Sequence, residues 1–239
     1  MRIVDHREVI SVIGGGGQVV DVLPAHEFRI AAIRGSIHLP LPKLIHNAEH
    51  ALDKRRAVVV YCRDCLCDLS ARAAAQLEFL GFRDVMHYLR GKADWMIRGF
   101  PCEPRPSMHE KLRALPYFIN NLAPGIRANW ISISRRATVI ESTKDDLPRI
   151  RPSDPIPIAA DNNSVAAVVL NSDGVLLGAI EANANTARAI EAMNPAPQTI
   201  RPDMTHRLGA SLLESNRYIL VTTSLGKYIG RYIPPATSG

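Results

Sequence analysis

The chain has 239 residues, of which 46% are hydrophobic and only 5% aromatic, so it holds one large domain or two ordinary ones with cores of Val, Ile, Leu and Ala. That is the composition of an α/β protein, not of an aromatic-rich sandwich. The formal charge of +6 is scattered without long basic runs or interleaved aromatics, which argues for a solvated basic surface and against nucleic-acid binding.

The charged stretch Met1–Glu8 lacks an apolar signal core. No window approaches the roughly 18 apolar residues that would span a membrane. Three of the four cysteines, Cys62, Cys65 and Cys67, are too close together to staple distant parts of a fold; the fourth is Cys102. A disulfide framework is therefore not expected, and a reducing cytoplasm is.

In chain order, Val4–Ile13 reads as an amphipathic helix closed by Gly14–Gly17. No Lys-Ser/Thr follows those glycines, so they form a turn and not a phosphate cradle. Gln18–Val22 is a strand, Pro24 opens a helical turn, and Ile33–Pro40 is a turn with a short extended segment. Leu41–Leu52 is a second helix. Val58, Val59, Val60 and Tyr61 are a continuous apolar run, as in a central strand buried on both faces. From Ser70 onward Ala73, Ala74, Leu77 and Leu80 recur at helical spacing up to Gly81. Asp84–Leu89 is a strand and Gly91–Gly99 a short helix with Trp95 in the core. This alternation predicts a doubly wound parallel sheet over residues 1–104.

Cys62 stands where the central strand meets the loop Arg63, Asp64, Cys65, Leu66, Cys67, Asp68, Leu69 and Ser70. Backbone N–H groups converging there, with the dipole of the next helix, are expected to favour the thiolate. The thiolate is the nucleophile, so Cys62 is the candidate catalytic residue. Cys67 and Cys65 are candidate resolving thiols. Cys-x2-Cys-x-Cys lacks a fourth partner except Cys102, so no metal site is expected. Asp21 reads as a structural acceptor under the loop, and Arg63 as either an anion contact or a solvated side chain. His38 and His87 read as edge residues.

These residues carry a resemblance. Val20-Asp21-Val22-Leu23, Glu27-Phe28, Ile33-Arg34-Gly35-Ser36, Leu39-Pro40, Tyr61-Cys62, the Ser70/Ala73/Ala74 helix start and Gly91, Trp95, Gly99 and Pro101 stand in the order seen in rhodanese domains. The resemblance covers about 100 residues. It implies a Cys62 persulfide that passes sulfane sulfur from thiosulfate or a persulfide donor to cyanide, a thiol or a sulfur-carrier protein, with no cofactor required. The chain departs from the family at Leu23 and Ala32, where arginine and histidine are usual, and its loop is longer by two residues. Rhodanese-related phosphatases also have longer loops, but they end in an arginine that grips the oxyanion. Asp68-Leu69-Ser70 offers none at that place, which disfavours phosphatase activity.

Residues 105–145 read as a linker and connecting segment, with a helical pattern over Met108–Leu122 and a strand near Trp130. Residues 146–239 contain a repeat. Val168–Ile180 aligns with Leu220–Tyr232, and Ile150–Asp154 with Ile200–Met204 ahead of each copy. The predicted unit is a strand, a helix and a hairpin turning at Gly174 or Gly226, with a helix at Thr205–Glu214 whose Leu208, Leu212 and Leu213 face inward. This part resembles a degenerate pair of CBS motifs, an α+β module for regulation or dimerisation. The first copy is degenerate because Pro155–Asn163 is short for the usual helix. Glu181 and Ala184, and Ile233 and Ala236, replace the residues that hold phosphates and ribose, so an adenosine nucleotide is disfavoured. A homodimer is expected, with Val168, Leu170, Ile219 and Val221 facing a second chain. The rival to an enzyme is a non-catalytic protein that docks a partner through the rhodanese fold and senses a ligand through the CBS pair.

Overall fold

The computed structural model describes residues 1–104, 139–157, 165–182, 184, 188–204 and 206–235. The segments Met108–Leu122 and Trp130–Ser134 and most of Pro155–Asn163 lie outside them. The chain forms two compact units, residues 1–134 and 135–239.

The first unit runs β1 (Arg2–Ile3), α1 (His6–Gly14), β2 (Gln18–Asp21), α2 (Ala25–Ile30), β3 (Ala32–Ile33) and β4 (Ile37–His38). It continues with α3 (Leu41–Ala51), β5 (Val58–Tyr61), α4 (Leu69–Phe79), β6 (Val85–Tyr88), α5 (Gly91–Ile97) and β7 (Cys102–Glu103). Five strands make one sheet in the order β1-β6-β5-β2-β4, every pairing parallel. β5 is the middle strand, and Val58, Val59, Val60 and Tyr61 are each 0% exposed, which accounts for their unbroken apolar run. Val59 and Tyr61 join Val9, Met86 and Trp95 in one core cluster. Val58 and Val60 point to the opposite face, since side chains alternate along a strand. Full burial of a Val is worth roughly 1.5–3 kcal/mol, so this strand is a main anchor of the unit.

The helix boundaries follow local chemistry. Asp5 caps α1 by accepting from the Arg7 and Glu8 N–H groups, and the Glu8 side chain accepts from the Asp5 N–H, a reciprocal box. Gly81 takes φ +87° just past α4, the left-handed turn that glycine makes without strain. Two features had no expectation behind them. β1 is too short to show a period, and β3 and β7 form a separate antiparallel ribbon of two residues each.

The second unit begins with a single 3-10 turn (Val139–Ser142), β8 (Thr143–Lys144), β9 (Arg149–Ile150), β10 (Val165–Leu170) and β11 (Leu176–Glu181). It continues with α6 (Ala189–Ala192), β12 (Thr199–Ile200), α7 (His206–Ser215), β13 (Leu220–Thr222) and β14 (Tyr228–Tyr232). Two sheets result, β11-β10-β9 and β12-β13-β14-β8. The repeat is visible in the register. Ile150 pairs with Val169 and Val169 with Gly178; Ile200 pairs with Val221 and Val221 with Gly230. The hairpin turns bond to each other reciprocally: the Leu176 N–H donates to Gly226 O at 2.9 Å and the Tyr228 N–H to Gly174 O at 3.0 Å. These pairs exchange when the copies are exchanged, so the two halves are related by a local twofold.

Two expectations fail here. Leu208 is 41% exposed, and the inward face of α7 is Gly209, Leu212 and Leu213; an added Cβ on Gly209 would meet the Tyr232 ring at 2.7 Å, so α7 seats its glycine there. Val168, Leu170, Ile219 and Val221 are at most 9% exposed within the single chain: Val168 and Leu170 pack in a cluster with Leu220 and Tyr228 of the other sheet, Ile219 and Val221 in one with Leu212 and Leu213 of α7, and they offer no face to a second copy.

Candidate active site

β5 delivers Cys62 to the carboxyl end of the sheet, where it is 0% exposed. The loop after it folds on its own groups: Asp64 Oδ1 accepts from the Leu66 N–H at 2.8 Å, and the Cys67 N–H donates to Asp64 O at 3.2 Å. This turn carries Cys67 back to Cys62. The base of the loop is clamped by the start of α5, whose Lys92 and Ala93 N–H groups donate to Cys62 O and Arg63 O, both at 2.9 Å. The clamp requires Gly91, which has φ +58° and lies so close that an added Cβ would be 2.5 Å from Cys62 O.

Cys62 Sγ lies 2.9 Å from Ser70 Oγ, 3.4 Å from Cys67 O and 3.7 Å from Asp64 O. The loop therefore turns oxygens toward the thiol, where converging N–H groups were expected. Ser70 Oγ is in turn 2.9 Å from His87 Nε2. A thiol proton donated to Ser70, and the Ser70 proton donated to Nε2, make one continuous chain from sulfur to imidazole.

His87 corrects the sequence reading. It lies on β6, between β1 and β5, is 0% exposed, and belongs to the site. Burial alone pushes its imidazole down from 6.5 to about 4, so it is neutral near pH 7. Its Nδ1 has no hydrogen-bond partner among the described residues. The one signal available was register: His87 pairs with Val60, two residues before Cys62. Single-sequence reading has no access to that pairing.

The neighbouring Cys62 sulfur first, then burial, then the charges of Cys62 and Asp68, push the Cys67 thiol well above the ordinary thiol value. Cys67 is thus the member of the pair that keeps its proton. Cys67 and Cys65 are both half-buried and unbridged. Asp68 is 3.6 Å from the guanidinium of the fully buried Arg72. Arg63 is engaged with Glu27, as is Lys92, whose Nζ donates to Glu27 O at 2.8 Å. Asp21 Oδ1 accepts from the Leu23 N–H at 2.9 Å, and burial raises its carboxyl above the usual range. Leu66 and Leu69 carry no polar side chain; Leu69 opens α4. His38, on edge strand β4, contacts Leu23 O at 2.9 Å and stacks on Phe28. Cys102 lies in β7, paired with Ile33.

A buried parallel sheet with a cysteine at the end of its middle strand, held at the start of one helix and clamped by the next, defines a cysteine-centred α/β domain. The family description that matches the sequence is "Rhodanese-like domain", over residues 5–98, so that stretch is similar to a rhodanese-like domain. No curated protein matches the chain. Among solved structures, a protein from Bacillus halodurans is 24% identical, with 45% of this chain and 82% of that one covered at a TM-score of 0.41. A rhodanese-related protein from Thermoplasma volcanium is 24% identical over 43% of this chain and 97% of that one, with a TM-score of 0.38. The Rhodanese_3-like domain of an Anabaena protein is 26% identical over 36% of this chain and 97% of its own, with a TM-score of 0.34. Among the described residues no helix is long and apolar enough to cross a membrane.

Proposed function

We propose that the amino-terminal unit is a sulfurtransferase with Cys62 as its nucleophile. The observation that carries the reading is the chain Cys62–Ser70–His87, with spacings of 2.9 Å and 2.9 Å, at the end of the middle strand. The Cys62 thiolate attacks the outer sulfur of thiosulfate, the sulfur–sulfur bond breaks, and sulfite leaves with the bonding pair. Cys62 persulfide remains, and its outer sulfur passes to a thiol, a cyanide-type acceptor or a sulfur-carrier protein. Cys62 reacts as the thiolate, and Ser70 turns its hydroxyl from His87 to the thiolate while His87, held neutral by burial, stays uncharged. No cofactor or metal takes part in these steps. The four unbridged cysteines are in keeping with a cytoplasmic setting.

A second reading has its own support. Cys62 is fully buried and Arg63 is held by Glu27, as in a docking domain that performs no chemistry. Thiosulfate or a persulfide donor, followed by intact-mass measurement and peptide mapping, separates the two. The sulfurtransferase takes up one sulfur atom on Cys62 that a reductant removes, and Cys62→Ser takes up none. Absence of that adduct with either donor leaves the docking reading.

The carboxyl-terminal unit is proposed to be a CBS-like pair serving regulation or dimerisation. The equivalent registers and reciprocal turn bonds of its two copies support this. Nucleotide remains disfavoured on Glu181, Ala184, Ile233 and Ala236. The homodimer rests on the resemblance alone.

A further inference from the structure

We propose that Cys67 resolves the Cys62 persulfide within the same loop, so that the sulfur leaves as hydrogen sulfide and the domain acts as a dithiol-dependent thiosulfate reductase. The inference rests on the sulfur-transfer reading above and names the acceptor that reading leaves open.

Three observations carry it. The Asp64–Cys67 turn folds the loop so that Cys67 O lies 3.4 Å from Cys62 Sγ. That carbonyl contact fixes the Cys67 backbone beside Cys62 Sγ, so the Cys67 side chain, five residues on in the same loop, is within reach of it by rotation about its own side-chain bond. Both cysteines are unbridged. An internal acceptor already in place has a far higher effective concentration than a thiol arriving from solution.

The step balances without an oxidant. Cys67 sulfur attacks Cys62 Sγ, the inner sulfur of the persulfide, and a Cys62–Cys67 disulfide forms. The bond between inner and outer sulfur breaks, and the outer sulfur leaves with the electron pair as hydrosulfide. The proton that Cys67 held goes to the leaving sulfur, giving hydrogen sulfide. An external dithiol then reduces the disulfide by thiol–disulfide exchange, returning both thiols and leaving as its own cyclic disulfide. Over one cycle thiosulfate and a dithiol become sulfite, hydrogen sulfide and an oxidised dithiol. A reaction that supplies reduced dithiol must therefore stand beside this protein.

The test is a single turnover of the reduced full-length chain, freed of reductant and given thiosulfate. The expected result for the wild-type protein is about one sulfide per chain, with two hydrogens lost from the intact mass and a disulfide mapped between residues 62 and 67. Cys67→Ser is expected to release none and to keep one extra sulfur on Cys62. Dithiothreitol is then expected to restore turnover in wild type, with sulfide formed in step with dithiol consumed. Wild-type protein that keeps its persulfide and releases no sulfide overturns the inference and leaves sulfur transfer standing. So does a mapped disulfide that joins any other pair, a readout that does not depend on any variant folding. Protein that takes up no sulfur in wild type or in Cys67→Ser overturns the sulfur-transfer reading itself, and the inference with it.

Discussion

His87 makes the amino-terminal unit sensitive to acid in a way that one substitution isolates. The imidazole is fully buried, and burial holds it at about 4 against the ordinary 6.5. Between those values the unfolded chain binds a proton at this site and the folded chain does not. Stability therefore rises with pH across that window: the contribution is complete above about 6.5 and is lost as pH falls toward 4. At 1.36 kcal/mol per pH unit the loss amounts to about 3 kcal/mol. His87→Gln keeps a polar group near Ser70 but does not titrate. The buried Asp21 carboxyl, raised by desolvation, favours the folded state at the acid end and runs against His87, so the wild-type curve alone mixes the two. The difference between wild type and His87→Gln removes Asp21 and every other shared group. Urea unfolding followed by tryptophan fluorescence, which reports on the buried Trp95, is the assay, repeated from pH 7 to pH 4. His87→Gln is expected to lose about 3 kcal/mol less than wild type over that range. Parallel losses in the two proteins would show that burial does not hold His87 neutral.

Gly91→Ala puts a Cβ 2.5 Å from Cys62 O at φ +58°, and the neighbours it meets are backbone that cannot swing aside. A left-handed non-glycine residue alone costs roughly 1–2 kcal/mol, so a destabilisation of at least about 2 kcal/mol is expected, with loss of sulfur uptake at Cys62. Wild-type denaturation midpoint and uptake in this variant would mean that the start of α5 does not clamp the loop. On the CBS-like reading, the full-length chain is expected to sediment as a dimer and to bind AMP no better than weakly; a monomer, or micromolar AMP binding by calorimetry, refutes the corresponding half of that statement.

What the sequence discloses follows from how local each cause is. The β5 run and the α4 spacing are written in neighbouring residues, and both appear where the pattern puts them; the first helix was expected from Val4 and starts at His6, because Asp5 caps it. The role of His87 depends on the parallel pairing of β5 with β6 and on the start of α4 reaching over both strands. Those partners are 17 residues or more apart in the chain, and the only trace at residue 87 itself is a histidine in an apolar strand. Arg63 was open between anion contact and solvent because Glu27, which holds it, lies 36 residues away. In the second unit the repeat is legible as an alignment, and with it the matching registers. The burial of Val168 and Ile219 was misjudged because alternation says which face a residue takes, not which layer covers that face.

The loop shows why length matters as much as residue type. In the resemblance drawn from the sequence, this loop exceeds the usual one by two residues while both of its ends, Tyr61-Cys62 and the Ser70 helix start, keep their places. The ends are fixed by β5 and α4, so the added chain has to fold within the loop, and it does so as the turn from Asp64 to Cys67. That turn presents the Asp64 and Cys67 carbonyls to the sulfur of Cys62. An open cradle of N–H groups would await an anion from solution. The Asp64 and Cys67 carbonyls and the Ser70 hydroxyl instead surround Cys62 Sγ with oxygens, one of which its single proton can serve. On the proposal that Cys67 resolves a Cys62 persulfide, this turn is what sets the second cysteine beside the first, and Cys67→Ser is the substitution that tests it.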